Sequence, residues 1–263
     1  SDAVSGIENL TQPFIRKKLI LLWAKWYQKT EDLIAKKSIT IVNSQMIYDK
    51  HKHKVQKLKL IKTSTLTIND IYSREDTCQK DEIRLIYSGR ITKIKGIYDI
   101  LHAVRDLNKE GYKIKFILVG MIDSAFLKEL NDFLSHNLMS NYCKYIGYKT
   151  AGSSLLNEYR KSDIFIIASQ SDSEGFPRSI WEAMASSCPV IATKVSSIPQ
   201  FGKGAIELCN PKDIQSIKKS LQNVINNKSR RLEMIKKGKK LAAENTLDKR
   251  ALELYKFIKS EIH

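Results

Sequence analysis

Short apolar runs alternate with helical patterns through residues 83–208, and this alternation constrains the fold more than any other feature of the sequence. Strand-like runs fall at 83–87, 114–119, 143–146, 164–168, 190–193 and 205–208, and the run at 164–168 has the length and β-branched content of a buried parallel strand. Helical patterns lie between most of them, at 96–109, 124–135, 153–160 and 177–187. Strands that alternate with helices at this spacing are typical of a parallel, doubly wound sheet, which binds ligands at the carboxyl ends of its strands. The sequence therefore predicts a Rossmann-like α/β domain.

The segment 173–185, directly after the fourth strand-like run, indicates where an anionic ligand binds. Pro177 suits a first helical turn, because proline presets φ and lacks the N–H that would stay unpaired there, and Gly175 lets the backbone come close to a ligand. A helix that starts here directs free N–H groups and the positive end of its dipole toward the mouth of the sheet, which favours phosphate. Glu174 and Glu182 bracket this position, and ionised carboxylates accept hydrogen bonds from hydroxyls such as those of a ribose or a sugar.

A second loop with phosphate-binding chemistry, residues 88–96, follows the first strand-like run. Gly89 and Gly96 permit tight backbone paths, and Arg90 and Lys95 flank the start of the next helix. An arginine offers a planar fork to two oxygens and a lysine offers a mobile point charge, so together they can neutralise a diphosphate. Such a loop alone is more often a solvated turn. Its pairing with the two-glutamate segment, in this order along the chain, favours a phosphate site.

Both motifs resemble those of one family, the retaining, nucleotide-sugar-dependent glycosyltransferases of the GT-B fold, family 4, also called glycosyl transferases group 1. The signature of that family is two glutamates with seven residues between them, in a frame that residues 174–185 match closely. Residues 88–96 are similar to its Gly-Arg and Lys-Gly element. The resemblance implies a metal-independent donor-binding domain for a UDP- or GDP-sugar, with no further cofactor.

The resemblance also assigns roles to single residues. Arg90 and Lys95 would hold the β-phosphate, and Glu182 would bind the ribose. Glu174 would contact the transferred sugar or stabilise its developing oxocarbenium ion, so catalysis would fall to Glu174, Arg90 and Lys95 in a front-face displacement. The other implied donor-binding residues are Gly89, Gly175, Phe176 and Pro177, with backbone amides offered by Gly175 and Phe176, and Tyr145 and Ile146 before a loop that packs the base.

Several of these residues have structural interpretations as well. Glu182 could pair with Arg178 across one helical turn on an exposed face, and Glu174 could cap the helix that follows it. Tyr145 could belong to the core. Trp181 is expected to pack within the domain rather than to stack on a base.

The sequence departs from the family pattern in and after the motif helix. Ser187 and the pair Ser196 and Ser197 replace glycines, and Gln200 replaces an acid. The lost glycines reduce the expectation of a close backbone approach to the donor at this loop. The glycine-rich loop and the histidine that the family has upstream, near the reacting sugar, have no counterpart here, so the chain alone could bind a donor and fail to transfer its sugar.

The first part of the chain predicts too little structure for a complete sheet. A helix is predicted over 8–37, with Ile15, Leu19, Leu22, Trp26 and Leu33 on one apolar face, followed by strands at 38–42 and 58–62 around a basic helix at 44–56. Residues 35–44 resemble the end of the family's N-terminal domain. We therefore expect a remnant of a second Rossmann-like domain. The expected division is 1–77 for the tail of an acceptor-side domain and a linker, 78–245 for the donor-binding domain, and 246–263 for a helix that packs back on the N-terminal part.

The net charge of +17 lies mainly in the two ends of the chain. Basic ends could contact an anionic membrane surface, as suits a lipid-linked acceptor, or they could form a solvated lysine-rich surface. Nucleic acid is not expected as a partner, because the basic segments lack interleaved aromatic residues. With no apolar stretch of 18 residues and no signal-peptide pattern, we expect a cytoplasmic protein, at most peripheral to the inner face of the membrane.

The cysteines and histidines show no metal-binding spacing, so free buried thiols are expected and no metal site is predicted. The sequence as a whole predicts a glycosyltransferase that moves a sugar from a UDP- or GDP-sugar to a glycan or lipid-linked acceptor with retention. The alternative is a non-catalytic nucleotide-binding Rossmann module. A nicotinamide-dependent oxidoreductase is disfavoured because no GxGxxG motif follows an early strand.

Overall fold

The computed structural model describes residues 13–171, 175–202 and 204–262. The helices are α1 (Phe14–Lys37), α2 (Gln45–His51), α3 (Ile97–Lys109), α4 (Ser124–His136), α5 (Ser153–Arg160), α6 (Arg178–Ala185), α7 (Ile198–Gly202), α8 (Ile214–Asn226), α9 (Lys228–Glu244) and α10 (Leu247–Ile262). The strands are β1 (Thr40–Val42), β2 (Leu58–Leu60), β3 (Ile83–Ser88), β4 (Ile114–Val119), β5 (Cys143–Tyr145), β6 (Ile164–Ile167), β7 (Val190–Thr193) and β8 (Ile206–Cys209). Short 3₁₀ turns lie at Ile68–Asp70 and Lys93–Lys95.

The chain forms two compact units. The first contains the chain up to Lys62 and again from Ala251 onward, and the second is Thr63–Arg250. The sequence pattern places the first division later, between residues 77 and 78. The two divisions differ because the second unit begins at Thr63 and includes the polar segment 73–82, which has no periodicity and is typical of a linker.

Buried polar contacts bind this segment to the second unit. The Arg74 guanidinium donates hydrogen bonds to the carbonyl oxygens of Arg160, Ser162 and Ser187 at 2.6–3.0 Å. Asp76 accepts two hydrogen bonds of 2.9 Å from Arg231, and the two side chains are only 7% and 6% exposed. Composition alone does not reveal such contacts, because the partners lie about 90 to 155 residues away along the chain.

In the part of the second unit that the structure describes, β3 to β8 form a parallel sheet in the spatial order β5-β4-β3-β6-β7-β8. Every residue of β6 and β7 is buried, as expected for a sheet covered on both faces. The chain order runs outward from β3 through β4 to β5, and outward from β6 to β8 on the other side. Since β3 and β6 pair directly, with Leu85 opposite Ile164, the topological switch point lies between them. The predicted doubly wound α/β sheet is confirmed.

Amphipathic helices surround this sheet, and side-chain caps fix where several of them begin. Asp123, Asp213 and Asn227 accept hydrogen bonds from free backbone N–H groups in the first turns of α4, α8 and α9. The apolar face of α3 lies in the core through Ile97, Ile100, Leu101, Ala103, Val104 and Leu107. Within the described residues, the lysine-rich helices α8, α9 and α10 follow β8.

In the first unit, β1 and β2 pair in parallel, with Thr40 opposite Leu58. Lys59 of β2 forms a salt bridge of 3.1 Å with Glu253, and its ammonium group lies 5.9 Å from the ring centroid of Phe257. Both partners belong to α10. These contacts hold the end of the C-terminal helix against β2.

The apolar face predicted for the first helix is exposed in the structure. Ile15, Leu19, Leu22, Trp26 and Leu33 of α1 are 53–75% exposed, whereas Ala24, on another side of the helix, is fully buried. The predicted start of this helix, residues 8–12, lies outside the described residues. Helical periodicity identifies an apolar face, but it does not identify what covers that face.

Candidate functional site

The two loops predicted to bind phosphate meet at the switch point of the sheet. The loop after β3 carries Gly89 and Arg90, and the loop after β6 leads through the half-buried Gly175 into α6. A backbone hydrogen bond joins the two, since the N–H of Gln170, just beyond β6, donates to the Ile94 carbonyl oxygen at 2.9 Å. The carboxyl ends of adjacent parallel strands at a switch point are where doubly wound sheets bind ligands. Both motifs therefore lie at the ligand-binding edge.

Gly96 ends the loop of residues 89–96, called the cation loop below, and allows it to pack against β6. The φ of Gly96 is +67°, and a Cβ at this position would lie 2.2 Å from the carbonyl oxygen and 2.8 Å from the Cβ of Ala168. Any side chain here would combine a left-handed backbone with a steric overlap. The tight backbone path predicted for Gly96 is thus required by its contact with the end of β6.

Three residues in or directly after β3, β4 and β5 hold the cation loop in place. Tyr87, which is buried, donates its hydroxyl to the Arg90 carbonyl oxygen at 2.7 Å. Gly120, directly after β4, is packed so closely that a Cβ would lie 1.9 Å from the Gly89 carbonyl oxygen. Tyr145 donates its hydroxyl to the Gly120 carbonyl oxygen at 3.0 Å. Sequence reasoning missed Tyr87 and Gly120, although a glycine directly after a buried strand is a readable sign of close backbone approach.

The residues predicted to lie beside the base, Tyr145 and Ile146, are half-buried at the end of β5. The Ile146 N–H donates to the Leu118 carbonyl oxygen, and the Gly120 N–H donates to the Gly147 carbonyl oxygen, each at 3.0 Å. The loops after β4 and β5 are therefore joined at the same edge as the cation loop. The hydrogen bond from the Tyr145 hydroxyl to Gly120 is part of this connection between the loops.

Arg90 and Lys95 lie close enough for their charges to interact. Arg90 is exposed and Lys95 is half-buried. Burial, and after it the charge of Arg90, lowers the pKa of Lys95. Lys93, the third cation of the loop, instead forms an ion pair with Glu129 of α4 at 2.7 Å. The charges of Arg90 and Lys95 therefore repel each other, and a diphosphate bound beside both would relieve that repulsion.

Glu182 lies on a buried face of α6. It is 9% exposed, and the Tyr159 hydroxyl donates to its Oε2 at 3.1 Å. Burial raises the pKa of Glu182, while hydrogen bonds from Tyr159 and Thr65 and the charge of Arg178 act in the opposite direction. The interpretation of Glu182 as half of a pair on an exposed helix face is therefore wrong. A carboxylate has about four lone-pair sites, so two hydrogen bonds leave acceptors for the hydroxyls of a ligand.

The rest of the motif places aromatic side chains inward. Helix α6 begins directly after Pro177, whose φ is −64°. The ring centroid of Phe176 lies 4.3 Å from that of Trp181. Trp181 is 1% exposed, which confirms that it packs within the domain. Glu174, predicted to contact the transferred sugar or to cap α6, lies outside the described residues.

A family model described as "Glycosyl transferases group 1" matches residues 69–241. This range contains the cation loop, Tyr145 and Ile146, and Glu182, and it covers well over half of the 263 residues. The chain belongs to this family.

Single relatives agree with the family. CapM, a capsular polysaccharide biosynthesis glycosyltransferase of Staphylococcus aureus, is 26% identical over 164 residues, which are 61% of this chain and 41% of CapM. The structure of Anabaena HepE in complex with UDP and glucose matches with a TM-score of 0.73 at 18% identity, over 88% of this chain and 66% of HepE. The C-terminal domain of LpcC, a glycosyl transferase group 1 family protein of Francisella tularensis, matches with a TM-score of 0.58 at 26% identity, over 69% of this chain and 99% of that domain. The fold is that of GT-B glycosyltransferases, and the chain spans less than half the length of the curated relatives it matches.

Two serines that replace glycines of the group 1 pattern keep a glycine-like backbone. Ser187 and Ser196 have φ values of +52° and +51°. A residue with a side chain costs about 1–2 kcal/mol in this conformation. Ser187 recovers part of that cost, because its hydroxyl donates to the Tyr72 carbonyl oxygen at 2.7 Å. The backbone at these positions therefore adopts a left-handed conformation that favours glycine, although serine stands there.

Other kinds of site find no support in the structure. Among residues 13–171, 175–202 and 204–262, no group of three His, Cys, Asp or Glu side chains could hold a metal ion. The cysteines, all within the described ranges, are free thiols, and burial raises the pKa of the three most buried to about 12 (Cys143, Cys188 and Cys209). Such thiols are protonated and poorly nucleophilic near neutral pH. A search of the described helices finds none that is long and apolar enough to cross a membrane.

Proposed function

We propose that this chain binds a UDP- or GDP-sugar and, as part of the whole protein, transfers the sugar to a hydroxyl of a glycan or lipid-linked acceptor with retention of the anomeric configuration. The observation that supports this most strongly is the presence of Arg90, Lys95 and Glu182 around one switch point. Two interacting cations suit a diphosphate, and a buried carboxylate with open acceptor sites suits the hydroxyls of a ribose.

The proposed reaction is a front-face displacement. The acceptor hydroxyl attacks the anomeric carbon from the side on which the diphosphate leaves, the bond to the diphosphate oxygen breaks, and the hydroxyl proton passes to that oxygen. Negative charge builds on the leaving diphosphate, and Arg90 and Lys95 offset it without a metal ion. The half-buried position of Lys95 strengthens this effect, because electrostatic interactions grow as water is excluded. Glu174 is proposed to contact the transferred sugar or its oxocarbenium ion.

The acceptor is proposed from the names of the relatives and from the charge of the chain. CapM is named for capsular polysaccharide biosynthesis, which favours a glycan or its precursor. The net charge of +17 favours work at an anionic membrane surface, where each nearby basic residue contributes about 1 kcal/mol. We propose a cytoplasmic protein that meets a lipid-linked acceptor at the inner face of the membrane.

Calorimetric titration with UDP, GDP and NAD tests the donor site directly. A charge-assisted hydrogen bond to phosphate contributes about 1.5–3 kcal/mol, so Arg90→Ala should weaken the binding of UDP or GDP by about 10- to 150-fold. Lys93→Ala is the matched control, since it removes a cation of the same loop whose charge is already paired with Glu129. It should change the affinity by less than about threefold.

The outcomes separate the proposal from its rivals. Selective loss of UDP or GDP affinity in Arg90→Ala, with Lys93→Ala near wild type, supports the diphosphate site and identifies the base. Equal effects of both variants would mean that binding responds only to overall charge. If the nucleotide binds but the whole protein neither hydrolyses nor transfers any of a panel of UDP- and GDP-sugars, the chain is a non-catalytic nucleotide-binding module.

A further inference from the structure

Tyr159 of α5 stands between the two motifs without belonging to either. Its side chain is fully buried, and its hydroxyl donates to Glu182 Oε2 at 3.1 Å. Ser88, the last residue of β3, directly precedes the cation loop; its side chain is buried, and it lies close enough to Tyr159 to oppose the rise in its pKa that burial causes. Tyr159 therefore contacts Glu182 of α6 and lies near the start of the cation loop.

We propose that Tyr159 is a positioning residue of the donor site, whose hydroxyl fixes the orientation of the Glu182 carboxylate at the switch point. This inference rests on the proposed function, because it assigns Tyr159 to the site that would hold the nucleotide. Tyr159 itself does not touch the donor. It acts through Glu182 on the ribose side.

The physical need for such a residue follows from the burial of Glu182. A carboxylate that is only 9% exposed has lost most of its water and depends on hydrogen-bond donors from the protein to remain ionised. Tyr159 and Thr65 supply those donors, and Arg178 supplies the nearby positive charge. The donation fixes the orientation of the carboxylate as well as its charge, because the Tyr159 ring is locked by packing, with its centroid 5.6 Å from that of Phe165.

The charged and titratable groups around this pair are few among the described residues. Arg178 lies on the same helix as Glu182, and Tyr159 faces Glu182 from α5. The Cys188 thiol also acts on the pKa of Tyr159, and burial keeps that thiol protonated near neutral pH. Removal of the Tyr159 hydroxyl therefore leaves Thr65 and Arg178 to hold the carboxylate, and Glu182 should take up a proton at higher pH than in the wild type.

The test compares Tyr159→Phe, Glu182→Gln and the double variant by titration with UDP or GDP from pH 5.5 to 8. We expect Tyr159→Phe to weaken binding about tenfold at neutral pH and to move the pH at which affinity is half-lost upward. In the Glu182→Gln background the same change should cause no pH shift, because no titrating carboxyl remains. Val224→Ala is the control for lost packing, since Val224 is fully buried in α8, away from both motifs, and it should leave affinity and pH profile unchanged.

A readout without nucleotide keeps the inference testable on its own. The urea midpoint of the wild type falls across a pH interval that ends at the raised pKa of Glu182, and Tyr159→Phe should extend the upper end of this interval to higher pH. The inference is overturned if Tyr159→Phe lowers stability without extending that pH interval and changes the affinity equally at every pH. Tyr159 would then have only a packing role. If the wild type binds neither UDP nor GDP, the proposed function fails, while the extension of the pH interval still decides whether Tyr159 positions Glu182.

Discussion

Replacement of Gly96 by alanine tests how the cation loop is held against the sheet. The left-handed backbone costs an L-residue about 1–2 kcal/mol. A Cβ placed 2.2 Å from the Ala168 carbonyl oxygen must also push the loop away from β6, and overpacking of this kind costs about 1–3 kcal/mol. The sum is about 2–5 kcal/mol. With an unfolding slope of about 3 kcal/mol per M, the urea midpoint should fall by roughly 0.7–1.7 M.

Gly111→Ala is the control for this change. Gly111 also has a positive φ, +97°, but nothing lies within 4 Å of the position that a Cβ would take. It should therefore carry only the backbone cost, about 1–2 kcal/mol, and leave nucleotide binding intact. Gly96→Ala should in addition weaken UDP or GDP binding, because the loop that carries Lys95 must move. Equal urea midpoints for the two variants would refute the close contact between Gly96 and Ala168.

Three further changes have expected results of the same kind. Because its pKa is raised, Glu182 binds a proton in the folded chain at pH values where it would be ionised in the unfolded chain, so the free energy of unfolding falls as pH rises from about 4.5 to the raised pKa. Glu182→Gln should remove this pH dependence from the urea midpoints and be no less stable than the wild type at pH 7. A clear loss of stability at pH 7 would contradict the direction of the pKa shift. Asp76→Asn breaks the buried ion pair with Arg231 and should lower the free energy of unfolding by about 3–5 kcal/mol. Asp81→Asn, which breaks an exposed ion pair with Lys113, should lower it by at most about 1 kcal/mol. Similar urea midpoints for the two variants would count against burial of the Asp76–Arg231 pair. The three most buried thiols should react with a thiol reagent only on unfolding, and fast native labelling of any of them would contradict their burial.

The sheet could be predicted from the sequence because each of its strands carries its own signal. A run such as residues 164–167 is apolar throughout, and that pattern arises when both faces of a parallel strand are buried. Local chemistry also located the two loops, because Gly96 suits a left-handed backbone and Pro177 presets the φ of about −65° at which a helix can start. The exposure of the first helix's apolar face could not be predicted, since periodicity does not tell which of two faces finds a partner.

The support of the site could not be predicted, because it depends on partners that only the fold brings together. Tyr159 and Glu182 are 23 residues apart, and Tyr145 and Gly120 are 25 residues apart. A buried tyrosine in a helical pattern looks like a core residue until its hydroxyl has a known neighbour. The burial of Glu182 could not be predicted either. An acid four residues after an arginine on a helix is equally consistent with an exposed ion pair.

A crystal structure of the chain with UDP or GDP is the most direct test of the central claim. We expect diphosphate oxygens within hydrogen-bond distance of Arg90 and Lys95, and ribose hydroxyls within hydrogen-bond distance of the Glu182 carboxylate. The chain offers a contrasting location, a hollow of about 820 Å³ beside β8 and α8 that is lined in part by Lys219 and Asn223. A nucleotide in that hollow, or one whose phosphates make no contact with the cation loop, would contradict the assignment of the donor site.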